Sequence, residues 1–302
     1  MGIYVKQNRI FNNRVRYNLY PINASIITNH INNSIVNKLV GKSASEKYCF
    51  SSSFPYGGVG DAGVWVRNTN CWLNGVDNIS CFSPAQRSGA AWHQRGGTLI
   101  TKKHFILAKH FTFALLDGGT PIIFVDENNN AIKRNLVQYA FDNLTDIAIG
   151  LLDNEVPDNI KIAKVLPPNY GEFINNPVLA VSIDQQKNAI VSVWQGLLNY
   201  IHGNENYKYA YITQLFNNSY YLPQYSEYSS FSESIVTGDS GQPAFIIIDN
   251  TLVLLSCWTT PISGPFITNR YNKVNELIES LSPNEGYNLT PVDLNAVYNK
   301  YT

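Results

Sequence analysis

The stretch Gly238-Asp239-Ser240-Gly241-Gln242-Pro243 decides how the rest of the chain is read. Gly, Asp, Ser and Pro build tight turns in any protein, but the same arrangement can also shape a backbone to present a serine hydroxyl. At average residue usage, Gly, Asp, Ser, Gly and Pro at these spacings arise on the order of once in several thousand chains of this length. Serine is a weak nucleophile at neutral pH. It needs a general base within hydrogen-bond reach and a carboxylate that fixes the base's tautomer. A nucleophilic serine in this turn therefore requires a histidine and an acid elsewhere in the chain.

The 302 residues, 44% of them hydrophobic, suffice for one large β unit or two smaller domains. Lys+Arg and Asp+Glu number 22 each. Nucleic acids and anionic membranes are bound mainly through an excess of Lys and Arg, so neither is an expected partner. No run approaches the roughly 18 apolar residues of a membrane span, and residues 1–20 lack the apolar segment of a signal peptide. The expectation is a cytoplasmic or viral setting rather than conventional secretion. His30, His93, His104, His110 and His202 include no pair at a helical ligand spacing, and no Cys-x-x-Cys occurs, so neither metal nor cofactor is expected. Cys71 and Cys81 are close enough for a hairpin disulfide; free buried thiols are the alternative.

Ile27, Ile31, Ile35 and Leu39 recur at four-residue steps, predicting a helix over residues 23–41. Residues 42–63 are rich in Ser and Gly and read as a loop or linker, so residues 1–90 form an expected N-terminal extension. From about Trp92 the pattern becomes short apolar runs broken by turns, among them "HFILAKHF", "PIIFV", "DIAIGLL", "VLAVSI", "PAFIII" and "LVLLSCW". These read as strands of an all-β body in two halves, about 91–165 and 177–265. Val274, Leu277, Ile278 and Leu281 predict a short amphipathic helix over 271–281, and residues 286–302 remain as a tail.

The histidine and the acid are present. His110 follows the apolar run "HFILAK", where a side chain can leave a sheet edge, and Asp146 directly precedes a buried-looking strand, where an unpaired acid would cost several kcal/mol. In these contexts the chain resembles the chymotrypsin-like serine proteases. "HQRGGTLITKKHFILAKH" is similar to the segment carrying that family's catalytic histidine, "DIAIGLL" to its Asp-Ile-Ala-Leu strand, and "TGDSGQPAF" to its Gly-Asp-Ser-Gly-Gly-Pro turn. The order His, Asp, Ser is also the family's. Across about residues 90–283 the resemblance implies two antiparallel β-barrels with a C-terminal helix, His110 and Asp146 on one barrel and Ser240 on the other. It further implies a serine endopeptidase acting on polypeptides, with His110 as base then acid and Asp146 orienting it. Ser240 would be the nucleophile, and the N–H groups of Gly238 and Ser240 the oxyanion hole.

Several residues depart from the family pattern. Phe111 stands where a cysteine usually follows the histidine, Gln242 replaces the second glycine of the turn, and Lys109 replaces an alanine. No Arg/Lys-Ile-Val-Gly-Gly precedes Trp92, so activation by a freed N-terminus inserting beside Asp239 is not expected, and Asp239 reads as a brace for the loop. The resemblance places the substrate pocket at Ser234, Thr237, Ser256 and Trp258. Neutral Ser234 at its base implies an apolar or polar P1 side chain, whereas a one-residue slip to Glu233 implies Lys or Arg. Two other readings keep the fold: a silent barrel serving as a binding or structural module, for example in a viral particle, and an esterase.

Overall fold

The computed structural model describes residues 4–11, 14–51, 65–202, 205–215 and 222–302. The fold is mostly β, built on two sheets, one of them curled into a half-barrel, with a helix near the C-terminus. The chain enters through an antiparallel hairpin of β1 (Tyr4–Phe11) and β2 (Arg14–Pro21), which runs directly into α1 (Ile22–Leu39).

The first sheet comprises β3 (Ala85–Ser88), β4 (Ala91–His93), β5 (Thr98–Leu99), β6 (His104–Ala108), β7 (Thr120–Val125), β8 (Ala131–Phe141) and β9 (Ile147–Leu152), ordered β4-β3-β7-β8-β9-β6-β5. Every residue of β6 and β7 is buried, as short continuous apolar runs predict. Opposite Phe105 of β6 stands Gly150 of β9, where an added Cβ would come within 2.5 Å of the ring, so the sheet tolerates no side chain there. The second sheet comprises β10 (Lys164–Val165), β11 (Val178–Ile183), β12 (Ala189–His202), β13 (Glu205–Gln214), β14 (Pro243–Ile248), β15 (Thr251–Cys257) and β16 (Ser263–Pro265). Its order is β10-β15-β14-β11-β12-β13-β16, and β10 pairs with β15 in parallel. Isolated bridges join Phe82 to Thr98 of β5 and Thr260 to Ser263 of β16. Where two antiparallel barrels were expected, the structure shows two sheets, one a half-barrel, with one parallel pair, β10 with β15.

The boundaries drawn from sequence differ from the packing. Residues 65–88, assigned to an extension, lie in the core: Trp65, Trp72, Leu73, Val76, Ile79 and Phe82 are buried, and β3 pairs with β7. The Trp72 indole N–H donates to the Ala189 carbonyl at 2.8 Å, and Asn78 exchanges hydrogen bonds with both backbone groups of Leu252. Ser and Gly around this segment signal a loop, but the interspersed aromatic surface drives it inward. The loop expected at 42–63 lies largely outside the described residues; its start, Ala44–Lys47, is a 3-10 turn.

In α1 the four apolar residues at four-residue steps are all buried and face β11 and β14, with the Asn32 carboxamide accepting from the Leu179 N–H at 2.8 Å. The tail forms α3 (Leu294–Tyr301), capped by Asp293 and packed on α1, and Pro291 extends the sheet edge at Val165. The helix α2 (Tyr271–Leu281) buries Val274, Leu277, Ile278 and Leu281 against β8 and β9. Of the two readings of Cys71 and Cys81, the structure shows the free buried thiols: all four cysteines are free and buried, and the Cys71 thiol donates to the Lys47 carbonyl at 3.5 Å.

Candidate active site

Strand register brings two residues together that stand 36 apart in sequence. β6 and β9 run antiparallel with Ala108 opposite Ile147, and just beyond that pair the Lys109 N–H donates to the Asp146 carbonyl at 2.9 Å. A 3-10 turn, Lys109–Phe111, then lifts His110 off the sheet, leaving its side chain about half exposed. The His110 backbone N–H donates to Asp146 Oδ1 at 2.8 Å, and the imidazole Nδ1 is hydrogen-bonded to Asp146 Oδ2. A carboxylate accepts, so Nδ1 carries the proton and Nε2 is left with its lone pair. His110 Nε2 lies 2.9 Å from Ser240 Oγ.

The loop holding Asp146 is braced by a second acid. Asp142, its side chain only 1% exposed, accepts from the Leu144 N–H, from Thr145 Oγ1 at 2.6 Å, and from Arg270 through Nε and Nη2 at 2.9 and 3.0 Å. Arg270 follows the second sheet, so this forked ion pair ties the two halves together. Lys109 turns away from His110 and donates to the Asp142 carbonyl at 3.3 Å. Burial pushes the nearby Tyr209 phenol up to about 12, keeping it neutral beside Asp146.

On the other side, the nucleophile turn is held by backbone accounting. Gly238 has φ +108°, a conformation that side chains rarely adopt, and an added Cβ would meet the Gln185 amide at 2.8 Å. Asp239 is 1% exposed; its Oδ2 accepts from the Val236 N–H at 2.8 Å and its Oδ1 from the Gln185 N–H at 2.9 Å. The Gly241 N–H donates to the Trp258 carbonyl and the Gln242 N–H to that of Asp239. The N–H groups of Gly238 and Ser240 donate to no group among the described residues. Asp239 therefore braces the loop, as expected.

Sequence reading missed the buried cation behind this turn. Lys187 is 1% exposed, and its ammonium donates at 2.7 Å to the Gln94 carbonyl and at 2.7 Å to Gln242 Oε1. Burial lowers its pKa from 10.5 to about 7, opposed by the charges of Asp184 and Asp239. Burial in turn raises the Asp184 carboxyl. "DQQKN" reads as a solvent-facing hairpin turn, but Lys187 takes φ +62° within a turn closed by Asn188 on Asp184, and this conformation accompanies its burial. Gln242, a departure from the family pattern, is one of the two acceptors of the lysine. Phe111, another departure, stacks beneath the Arg95 guanidinium, 3.5 Å from ring centroid to Cζ.

Neither His110 Nδ1 nor Nε2 is bonded to another histidine, and His93 packs against Phe113 with ring centroids 5.0 Å apart. His104 is fully buried and pushed by burial to about 4, with Nδ1 2.8 Å from Thr101 Oγ1; His30 Nε2 accepts from the Asp249 N–H. The side chain of His202 lies outside the described residues.

The pocket residues divide. Ser234 and Trp258 line a cavity of about 450 Å³ in the second sheet, together with Glu233, Ser182, Ser192 and Tyr211. Ser256 is buried outside the lining, its hydroxyl donating to the Cys257 carbonyl, and Thr237 is exposed and also outside it. Ser234, expected at the base, is exposed and hydrogen-bonded to the Gln214 amide; the buried hydroxyls in this lining are those of Ser182 and Ser192. A larger cavity of about 660 Å³ is lined by Tyr170, Arg270 and Glu276 and contains none of His110, Asp146 or Ser240.

Among the described residues no cluster of His, Cys, Asp and Glu could hold a metal ion, and no helix is long and apolar enough to cross a membrane. No protein-family model and no curated protein matches the chain.

Proposed function

We propose that the chain is a serine endopeptidase whose two sheets are the two barrels of a chymotrypsin-like fold. One observation carries this reading: a single imidazole donates its Nδ1–H to a carboxylate, and its Nε2 lies 2.9 Å from the hydroxyl of the serine that the turn presents. Ser240 Oγ attacks the scissile carbonyl as His110 Nε2 takes its proton, and Asp146 stabilises the imidazolium that forms. The oxyanion is received by the Gly238 and Ser240 N–H groups, each worth roughly 2.7 to 4 kcal/mol in the transition state. His110 then returns its proton to the leaving amine, and a water, activated by the same imidazole, releases the acyl group from Ser240.

A fluorophosphonate probe tests the reading directly. The parent protein is expected to label, whereas Ser240→Ala and His110→Ala are not. A folded parent that never labels would favour the binding-module reading, and labelling with turnover of esters but no peptide would favour the esterase.

A further inference from the structure

The cavity beside the nucleophile turn has a chemistry that narrows what it can accept. Trp258, whose carbonyl accepts from Gly241 next to Ser240 and whose buried indole N–H has no hydrogen-bond partner among the described residues, is part of its lining. The polar part includes Ser182 and Ser192, 0% and 4% exposed, with their hydroxyl oxygens 2.8 Å apart. Two hydroxyls joined by one hydrogen bond keep one O–H still to donate and lone pairs still to accept. A side chain that both accepts and donates satisfies such a pair; a hydrocarbon leaves it without water or partner.

The charge of the cavity is set from outside it. Glu233 is the one carboxylate among the described residues that line it. Lys47, at the end of the 3-10 turn in the N-terminal segment, holds Glu233 Oε1 in an ion pair, with the lysine side chain 15% and the glutamate 42% exposed. A lysine or arginine entering the cavity would have to displace Lys47, and an aspartate or glutamate would meet Glu233 with no unpaired cation in the lining to receive it.

We propose that this cavity, on the reading of the protein as a serine endopeptidase, selects a carboxamide side chain, glutamine or asparagine, on the acyl side of the scissile bond, and that Lys47 is a specificity-determining residue acting through Glu233. The carboxamide carries the accepting oxygen and the donating nitrogen that the serine pair requires, with no charge to compensate. Sites built to hydrogen-bond a substrate reject the isostere lacking those groups far more strongly than apolar pockets reject a missing methylene.

The test uses the full chain carrying Ser240→Ala, so that binding is read without turnover. Fluorescent hexapeptides ending in Gln, Met, Lys or Glu are titrated by anisotropy. The Gln peptide is expected to bind at least tenfold tighter than the other three. With Lys47→Met added, the ratio of Lys-peptide to Gln-peptide affinity should rise at least tenfold, and a further Glu233→Gln should return it. If Lys47→Met does not fold, Glu233→Gln alone serves: leaving Lys47 unpaired, it should raise the Glu-to-Gln ratio. Equal binding of Met and Gln peptides, a Lys preference with Lys47 intact, ratios indifferent to both substitutions, or no peptide binding at all would overturn the proposal. Discrimination by Ser240→Ala alongside a parent that never labels with fluorophosphonate would sink the protease reading alone; labelling without discrimination would sink only the pocket.

Discussion

The two halves that meet at His110 and Ser240 hold their parts by different means. On the first sheet, His110 and Asp146 sit at the ends of β6 and β9, and the ladder of those strands sets their approach. On the second, Ser240 rides on a turn whose shape depends on Asp239, Gln185 and Gln242, with the ammonium of Lys187 buried behind it. The first arrangement is fixed by strand register and the second by buried polar groups. Register is set by the hydrophobic pattern of a whole strand and not by the titration of one group, whereas a buried polar network fails when one member is removed or changes charge.

The largest effects should come from the groups that handle the proton. His110→Ala is expected to lower peptide turnover on the order of 10⁶-fold, and Asp146→Asn about 10⁴-fold, because an amide would present a donor to Nδ1 and select the wrong tautomer. Measured kcat values near the parent for either variant would break the comparison at its root. Next, Arg270→Ala leaves the buried Asp142 carboxylate without its forked partner, with an expected loss of about 3 to 5 kcal/mol, read as a fall in the urea midpoint. Replacing both partners, as Arg270→Met with Asp142→Asn, should recover much of it; equal losses in the single and double variants would show that the ion pair does not couple the halves.

The most discriminating effect is the pH slope, the smallest of the three when read over a single pH unit. Lys187 has a folded pKa of about 7 against an ordinary 10.5, so between those values the unfolded chain binds a proton that the folded chain does not. Its contribution therefore makes stability rise with pH across that window, by at most about 1.4 kcal/mol per pH unit, and the associated penalty is fully present below pH 7. Subtracting the stability profile of Lys187→Met from that of the parent should expose this slope from pH 7 to 10. A flat difference would mean that the lysine is charged throughout.

Where sequence reading succeeded, the signal was local and periodic. The steps of α1 and α2 and the buried runs of β6, β7, β11 and β14 are written in the spacing of apolar residues, and the structure folds each of them so. His110, Asp146 and Ser240 were legible because each is embedded in a strand end or turn of recognisable shape. The placement of Trp72 and Asn78 in the core was not, since their partners Ala189 and Leu252 lie more than a hundred residues away. Nor was the separation of Thr237 and Ser256 from the cavity, which depends on how the second sheet packs.

The sequence by itself determined the type and apolar face of the strongly periodic elements, because periodicity acts over a few residues, and the resemblance of three short motifs singled out His110, Asp146 and Ser240, which lie within hydrogen-bond reach in the fold. Only the tertiary structure decided that Lys187 is buried behind the nucleophile turn, that Lys47 covers Glu233 and that Arg270 locks Asp142. Each of these is a charge whose partner is distant in the chain. A charged residue read in sequence is ordinarily a solvated one, and only three-dimensional packing can remove the water that makes it so.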